Sequence, residues 1–346
     1  MYPRLRSLLF RLDPETAHQL TLNLLALAGA LPMARAVLRS LFSLDNPGLR
    51  LQAFGCDFAN PLGLAAGYDK DGRGMHGLAC LGFSHLELGT VTPLAQPGNP
   101  RPRIFRLPQD QALINRMGFP NAGAQALLRR LRRGKPVRVV IGVNIGKGVA
   151  TPLDQAADDY CSLLRCFAAS ADYVAVNISS PNTLGLRRLQ ARDHLEALLA
   201  RLVSERKDLQ AAWRRTVPLL LKLAPDLSQA ELDDVVGATL DAGLEGVIAT
   251  NTTVERPELR SPGRAEPGGL SGLPLRGRST DVIRQIARAS AGRLTIVGVG
   301  GVLDAQSAQE KLDAGATLVQ VYTGLVYRGP GMVKEILGGL DAHAGA

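Results

Sequence analysis

The run Asn177-Ile-Ser-Ser-Pro-Asn-Thr183 sets two adjacent serines between two asparagines. It follows a β-rich stretch, Asp172–Asn177, and so reads as a strand end running into a loop. Two chemistries fit it. One is an Asx- and Ser-rich turn that only satisfies its own backbone. The other is a serine poised over a ligand as a proton acceptor. Serine is a poor base near neutral pH, so its proton must then leave through a neighbour or water.

The elements that would position such a loop come in a regular series. Short β-rich runs cover Leu62–Ala66, His85–Thr90, Val137–Asn144, Asp172–Asn177, Val217–Ala224, Glu245–Asn251, Leu294–Gly298 and Thr317–Thr323. Helical patterns lie between them, as in Leu153–Ala169, Asp193–Leu209 and Ser228–Ala242. Eight strand–helix units predict an α/β fold, a (β/α)8 TIM barrel, with a doubly wound open sheet as the alternative. The Gly/Pro-rich stretches Thr92–Arg103 and Arg256–Arg278 then read as long loops between strand and helix.

A barrel of this kind gathers its chemistry at the C-terminal ends of its strands. Those ends supply Ala66-Gly67 with Lys70 close behind, then Thr90, Asn144, Asn177, Lys222, Thr250-Asn251-Thr252, Gly300-Gly301 and Tyr322-Thr323. Turn preference alone would enrich Asn, Gly and Thr there. It does not explain two of only seven lysines. Glycines and hydroxyls after the last two strands occupy the usual phosphate position of this fold. Asn115, Asn144, Asn177 and Asn251 offer amides that suit a ligand with alternating N–H and C=O groups. Lys222 lies in Leu219-Leu-Leu-Lys-Leu-Ala-Pro225, too apolar for a surface edge. Its amine needs an anion: a phosphate, a reduced flavin or an internal carboxylate. No cluster of His and carboxylates suggests a catalytic metal, and no GxSxG or triad order appears.

Before the barrel, the first 45 residues read as three short helices. Leu5, Leu8, Leu9 and Leu12 share one face; a second helix starts after Asp13-Pro14; the third groups Ala34, Val37, Leu38 and Leu41. Arg4, Arg6, Arg11, Arg35 and Arg39 flank them. Such a lobe can pack on a globular domain or lie in a membrane interface. The longest early apolar run, Leu24–Ala34, is too short to span a bilayer.

The 346 residues are 46% hydrophobic and carry a formal charge of +9. All of that excess lies between Arg101 and Arg138, which hold ten Lys/Arg and one acid. Arg129, Arg130, Arg132 and Arg133 fit the solvated end of a helix or a patch facing anionic lipid. Only 4% of residues are aromatic, which argues against nucleic-acid binding by base stacking. Cys56, Cys80, Cys161 and Cys166 show no CxxC and read as small buried side chains.

Taken together, these segments resemble the dihydroorotate dehydrogenases, and among them the membrane-associated, quinone-dependent class 2. The resemblance runs nearly end to end. It covers Leu12-Asp-Pro-Glu-Thr-Ala-His18, Asn60-Pro-Leu-Gly-Leu-Ala-Ala-Gly67 with Asp69-Lys70, Glu87-Leu-Gly-Thr-Val-Thr-Pro93, Ile114-Asn-Arg-Met-Gly-Phe119 and Gly142-Val-Asn-Ile-Gly-Lys147. It goes on through Asn177–Thr183, Lys222-Leu-Ala-Pro-Asp226, Ala249-Thr-Asn-Thr-Thr253, Gly268-Gly-Leu-Ser-Gly272 and Val299-Gly-Gly301.

The resemblance implies bound FMN and oxidation of dihydroorotate to orotate in pyrimidine synthesis. It implies Ser180 as the base that takes the C5 proton, with Phe119 and Thr183 along the proton's exit. Lys70, Asn115, Arg116, Met117, Gly118, Phe119, Asn177, Asn182, Asn251 and Thr252 match substrate-binding positions. Ala66, Gly67, Tyr68, Asp69, Lys70, Thr90, Asn144, Asn177, Lys222, Thr250, Gly272, Gly301, Tyr322 and Thr323 match those near the flavin. No metal is implied. Residues 1–45 match the helical lobe that forms a quinone tunnel, with His18 and Arg106 near its inner end, and residues 46–346 match the FMN barrel.

Class 1 enzymes, which use fumarate or NAD, place Cys at the Ser180 position and lack the lobe; they are the alternative reading. Tyr68, Pro120, Leu184 and Thr323 depart from the usual Leu/Phe, Asn, Pro and Ser. The class implies a peripheral enzyme on the cytoplasmic face of a bacterial inner membrane, touching it through the N-terminal helices, with no nucleic-acid partner.

Overall fold

The computed structural model describes residues 2–340. Met1 of the expected lobe and residues 341–346 of the expected barrel domain lie outside the described residues. The chain opens with α1 (Tyr2–Leu9), α2 (Pro14–Ala30) and α3 (Pro32–Phe42). The Asp13 carboxylate accepts the N–H groups of Glu15 and Thr16, and Pro14 takes the first helical position, where no N–H is needed. Pro32 opens α3 in the same way, and the two helices meet at 114°. A Cβ on Gly29 would stand 2.5 Å from the Gly77 nitrogen, so α2 lies directly on the backbone of α4 (Met75–Ala79).

The strands are β1 (Leu51–Ala53), β2 (Cys56–Phe58), β3 (Leu62–Leu64), β4 (His85–Val91), β5 (Ile104–Leu107), β6 (Ala112–Asn115), β7 (Val140–Ile145), β8 (Tyr173–Asn177), β9 (Leu219–Leu223), β10 (Gly246–Ala249), β11 (Gly269–Gly272), β12 (Thr295–Val299) and β13 (Leu318–Val321). A closed parallel barrel runs β3-β4-β7-β8-β9-β10-β12-β13. All eight runs read from the sequence are its strands. One starts later than expected, at Val140 instead of Val137, because Arg138 has φ +62° and Val137 is 80% exposed.

Tyr173, Ala175, Leu220, Ile248, Val297 and Leu318 fill the barrel interior, and the β1–β2 hairpin closes its N-terminal end with Ala53 and Phe58. A larger apolar layer lies between the strands and the outer helices. These include α5 (Ala124–Arg133), α6 (Ala156–Phe167), α7 (Arg192–Trp213), α8 (Gln229–Asp241), α9 (Arg276–Ser290), α10 (Ala305–Asp313), α11 (Thr323–Arg328) and α12 (Gly331–Gly339). On α5, Leu127, Leu128 and Leu131 are buried while Arg129, Arg132 and Arg133 face solvent.

The stretch Arg256–Arg278 is not loop throughout. Its β11 joins β6 and β5 in a three-stranded antiparallel sheet beside the barrel mouth. The segment Gly-Leu-Ser-Gly has no β-branched residue, so nothing local marks it as a strand. Its pairing with Ala112–Asn115 creates it.

Candidate active site

A cavity of about 990 Å³ opens at the C-terminal ends of the strands. Each functional side chain arrives there from its own strand end or from the small antiparallel sheet. Ala66, Gly67 and Lys70 follow β3, Thr90 ends β4, and Asn115, Met117, Gly118 and Phe119 come from β6 and the turn after it. Asn177, Ser180 and Asn182 follow β8, Lys222 lies on β9, and Thr250, Asn251 and Thr252 follow β10. Gly272, Gly301, Tyr322 and Thr323 complete the wall. Among the described residues, the lining holds two lysines and no Asp or Glu.

Other expected site residues stand behind or beside the wall. Asn144 is fully buried under it: its Oδ1 accepts the Thr90 hydroxyl at 2.5 Å and the Asn177 Nδ2 at 3.2 Å. Asp69 turns away and accepts the N–H groups of Arg73 and Gly74. Arg116 points outward, onto Glu266 at 2.6 Å and over the Phe105 ring. Thr183 is buried in the loop, where its carbonyl accepts from Leu186. Tyr68 sits between His18 and Tyr322, with ring centroids 4.9 and 5.8 Å away. Phe119 lines the cavity with φ +54°.

The amides form one connected set. Asn177 Oδ1 accepts from Ser179 and from Asn251 Nδ2, and Asn251 Nδ2 also reaches Ser179 Oγ at 3.0 Å. Asn182 Nδ2 donates to the Asn115 carbonyl at 3.1 Å, and the Asn182 N–H donates to Ser180 Oγ at 3.2 Å. Lys70 Nζ donates to the Gly67 carbonyl at 2.7 Å, and burial lowers its pKa to about 8. Lys222 has its anion inside the protein: Glu87 Oε1 at 3.0 Å. Of the three partners the sequence left open, an internal carboxylate is present, while Lys222 still lines the cavity.

Three groups were not assigned from sequence. Glu87 opens the segment Glu87–Pro93, but its inward direction only appears when the barrel closes. Arg187 donates to the Ser179 and Thr252 carbonyls and pairs with Asp226. Gln320 lines the cavity, and its Oε1 is buried without a protein partner.

A second cavity, of about 790 Å³, lies between the lobe and the barrel and shares Lys70 and Met117 with the first. His18 and Tyr68 line it, and Glu15 sits there against Arg101 and Arg103. Burial, helped by the Lys70 charge, lowers the His18 pKa to about 4, so the ring is neutral. Arg106 stands apart. It donates to the Phe10 and Leu12 carbonyls and lies 4.5 Å over the Phe10 ring, tying the α1–α2 turn to β5.

A closed parallel eight-stranded barrel with a cavity at the C-terminal ends of its strands, lined among the described residues by two lysines, amides and hydroxyls and by no carboxylate, defines a TIM-barrel protein with its candidate site at the end where this fold gathers its chemistry. The chain belongs to the dihydroorotate dehydrogenase family: the family's model matches residues 48–343. It is 49% identical over 339 residues to a dihydroorotate dehydrogenase (quinone) of Acidithiobacillus ferrooxidans, covering 97% of this chain and 93% of the relative. One from Azotobacter vinelandii is 48% identical and covers all of this chain, lobe included, and 98% of its own. The crystal structure of DHODH from Eimeria tenella in complex with ferulenol superposes with a TM-score of 0.86 at 38% identity, covering 94% of this chain and 89% of that one.

Proposed function

We propose that this chain is the quinone-dependent enzyme of its family, oxidising dihydroorotate to orotate with FMN, and that Ser180 is its base. The observation that carries the reading is the convergence of Ser180, Lys70 and four asparagines on one cavity without a carboxylate. The relatives named for this activity match over both lobe and barrel.

The donor set fits FMN. Lys222, Thr90 and Asn177 would face its ring, and the unpaired Gln320 Oε1 could take an N–H there. Gly272, Gly301, Tyr322 and Thr323 would hold its phosphate end. Gly301 has φ +72°, and a Cβ there would stand 2.4 Å from Arg276 Cα, so only glycine lets the chain turn so closely. When bound, FMN supplies a two-electron acceptor for the substrate hydride.

The protein's own groups do the rest. Lys70 receives the substrate carboxylate, and the amides of Asn115, Asn182 and Asn251 match the pyrimidine edges. Ser180 Oγ takes the C5 proton, and the Asn182 N–H on that oxygen stabilises the charge developing there. Phe119 and Thr183 border the way out for the proton.

The lobe, residues 1–45, is the membrane-contacting and quinone-receiving part in this reading. No helix of the described residues is long and apolar enough to cross a membrane alone. Instead α1 and α3 bury no side chain fully, and Leu24, Leu27 and Met33 are 57%, 61% and 85% exposed, near the half-buried Arg35 and the exposed Arg39. A bent, amphipathic, Arg-flanked pair suits peripheral contact with the cytoplasmic face of an inner membrane. The line His18–Tyr68–Tyr322 connects the lobe to the cavity wall.

The test is an anaerobic absorbance spectrum of the purified protein. Flavin bands should bleach with dihydroorotate and return with a short-chain ubiquinone. Return with fumarate or NAD instead would favour the class 1 reading, and a protein that holds no FMN would overturn both.

A further inference from the structure

We propose that Glu87 sets the reduction potential of the bound flavin by cancelling part of the Lys222 charge. The inference rests on the reading above that FMN occupies the cavity lined by Lys222.

Glu87 is inward-facing on β4, while its neighbours Leu86 and Leu88 pack outward against the helices. Lys222 is on β9, and two strands, β7 and β8, separate β4 from β9 in the barrel wall. Their side chains therefore meet across the barrel interior, at 3.0 Å, both buried. Both carboxylate oxygens are fully used. Oε1 accepts from Lys222 Nζ and from Asn144 Nδ2 at 2.7 Å; Oε2 accepts from Gln320 Nε2 at 2.8 Å and Tyr173 OH at 3.3 Å. A side chain at residue 142 would collide with the Tyr173 ring, so Gly142 makes room for this set. Burial alone would raise the Glu87 pKa, but the Lys222 charge and these hydrogen bonds bring it below the ordinary value. The carboxyl is ionised.

Two consequences follow from that charge. An ionised carboxylate can only accept, so Asn144 must turn its NH2 toward Glu87 and its carbonyl toward Thr90 and Asn177. Glu87 thus orients the amide set under the cavity. Glu87 also does not line the cavity, whereas Lys222 does. It is the charge behind the lysine, and it weakens the pull of Lys222 on an electron pair arriving above it. This makes Glu87 a positioning and tuning residue; the substrate has no access to it.

The test is the two-electron potential of the FMN-loaded protein, read against a reference dye during slow anaerobic reduction at one fixed pH. Glu87→Gln keeps the shape and removes the charge. Its ratio of reduced to oxidised flavin at a fixed dye potential should rise at least about tenfold, a positive shift of about 30 mV for a two-electron couple. Glu87→Asp, which draws the charge back, should shift less in the same direction. Tyr173→Phe removes a hydrogen bond and no charge, and should leave the potential in place. A loaded Glu87→Gln or Glu87→Asp protein at or below the wild-type potential would overturn the proposal. So would an equal shift in Tyr173→Phe, or loss of FMN from both Glu87 variants with the barrel still folded. Failure of the wild-type chain itself to hold FMN would strike the reading of the cavity instead, and the proposal with it.

Discussion

Arg187 and Asp226 form an ion pair at 2.7 Å that bridges two loops of the barrel mouth. The same guanidinium donates to the carbonyls of Ser179 at 3.1 Å and Thr252 at 2.9 Å. Asp226 in turn accepts from the Thr253 hydroxyl and the Val254 N–H. One arginine thus ties the loops after β8, β9 and β10 together, next to the residue before Ser180. Arg187→Ala should slow flavin reduction by dihydroorotate about 10- to 100-fold, the range for a misplaced reacting group. FMN content and reoxidation by quinone should stay unchanged, and Arg187→Lys should recover part of the loss. Stopped-flow measurement of the two half-reactions separates these outcomes.

Ser180→Ala should slow flavin reduction by at least about 100-fold, the lower end for loss of a general base. Orotate binding, followed by the shift in the flavin spectrum, should change little, because the amides and Lys70 remain. Reduction at near wild-type speed would exclude Ser180 as the base.

Lys70 gives a pH signature. Its pKa in the free protein is lowered to about 8, chiefly by burial. The charged form exists below that value and is lost above it. If the ammonium receives the substrate carboxylate, kcat/KM should be flat below about 8 and fall with rising pH, approaching about tenfold per unit. Lys70→Met should be weak at every pH and lack this limb.

Glu15 holds the lobe to the barrel through Arg103 at 2.6 Å, with both side chains buried, and through the exposed Arg101 at 3.0 Å. Breaking a buried pair from one side leaves a charge without a partner, at a typical cost of about 3 kcal/mol. Glu15→Gln should therefore melt at lower temperature and lose quinone turnover before it loses reduction by dihydroorotate. Burial raises the Glu15 pKa, but the two arginines outweigh it, and the net shift is downward from 4.5. Its contribution is complete above the unfolded value and disappears as pH falls through the folded one. The difference in Tm between wild type and Glu15→Gln should accordingly be constant near neutral pH and shrink on acidification below about 4.5.

Much of this protein is written locally. The barrel strands are apolar runs because both faces are covered, and that pattern is visible without any structure. Asp13 and Pro14 mark the start of α2 because capping is decided by adjacent residues. The polar ends of the strands, from Lys70 to Thr323, declare the mouth because strand ends of a barrel share one rim. What the sequence could not state are the long-range partners. Glu87 and Lys222 are 135 residues apart, Glu15 and Arg103 are 88 apart, and β11 becomes a strand only by pairing with β6. Which carboxylate meets which lysine depends on closure of the barrel and on the side of the pleat each residue takes. Those choices are made by the whole chain burying its apolar surface, and by no segment alone.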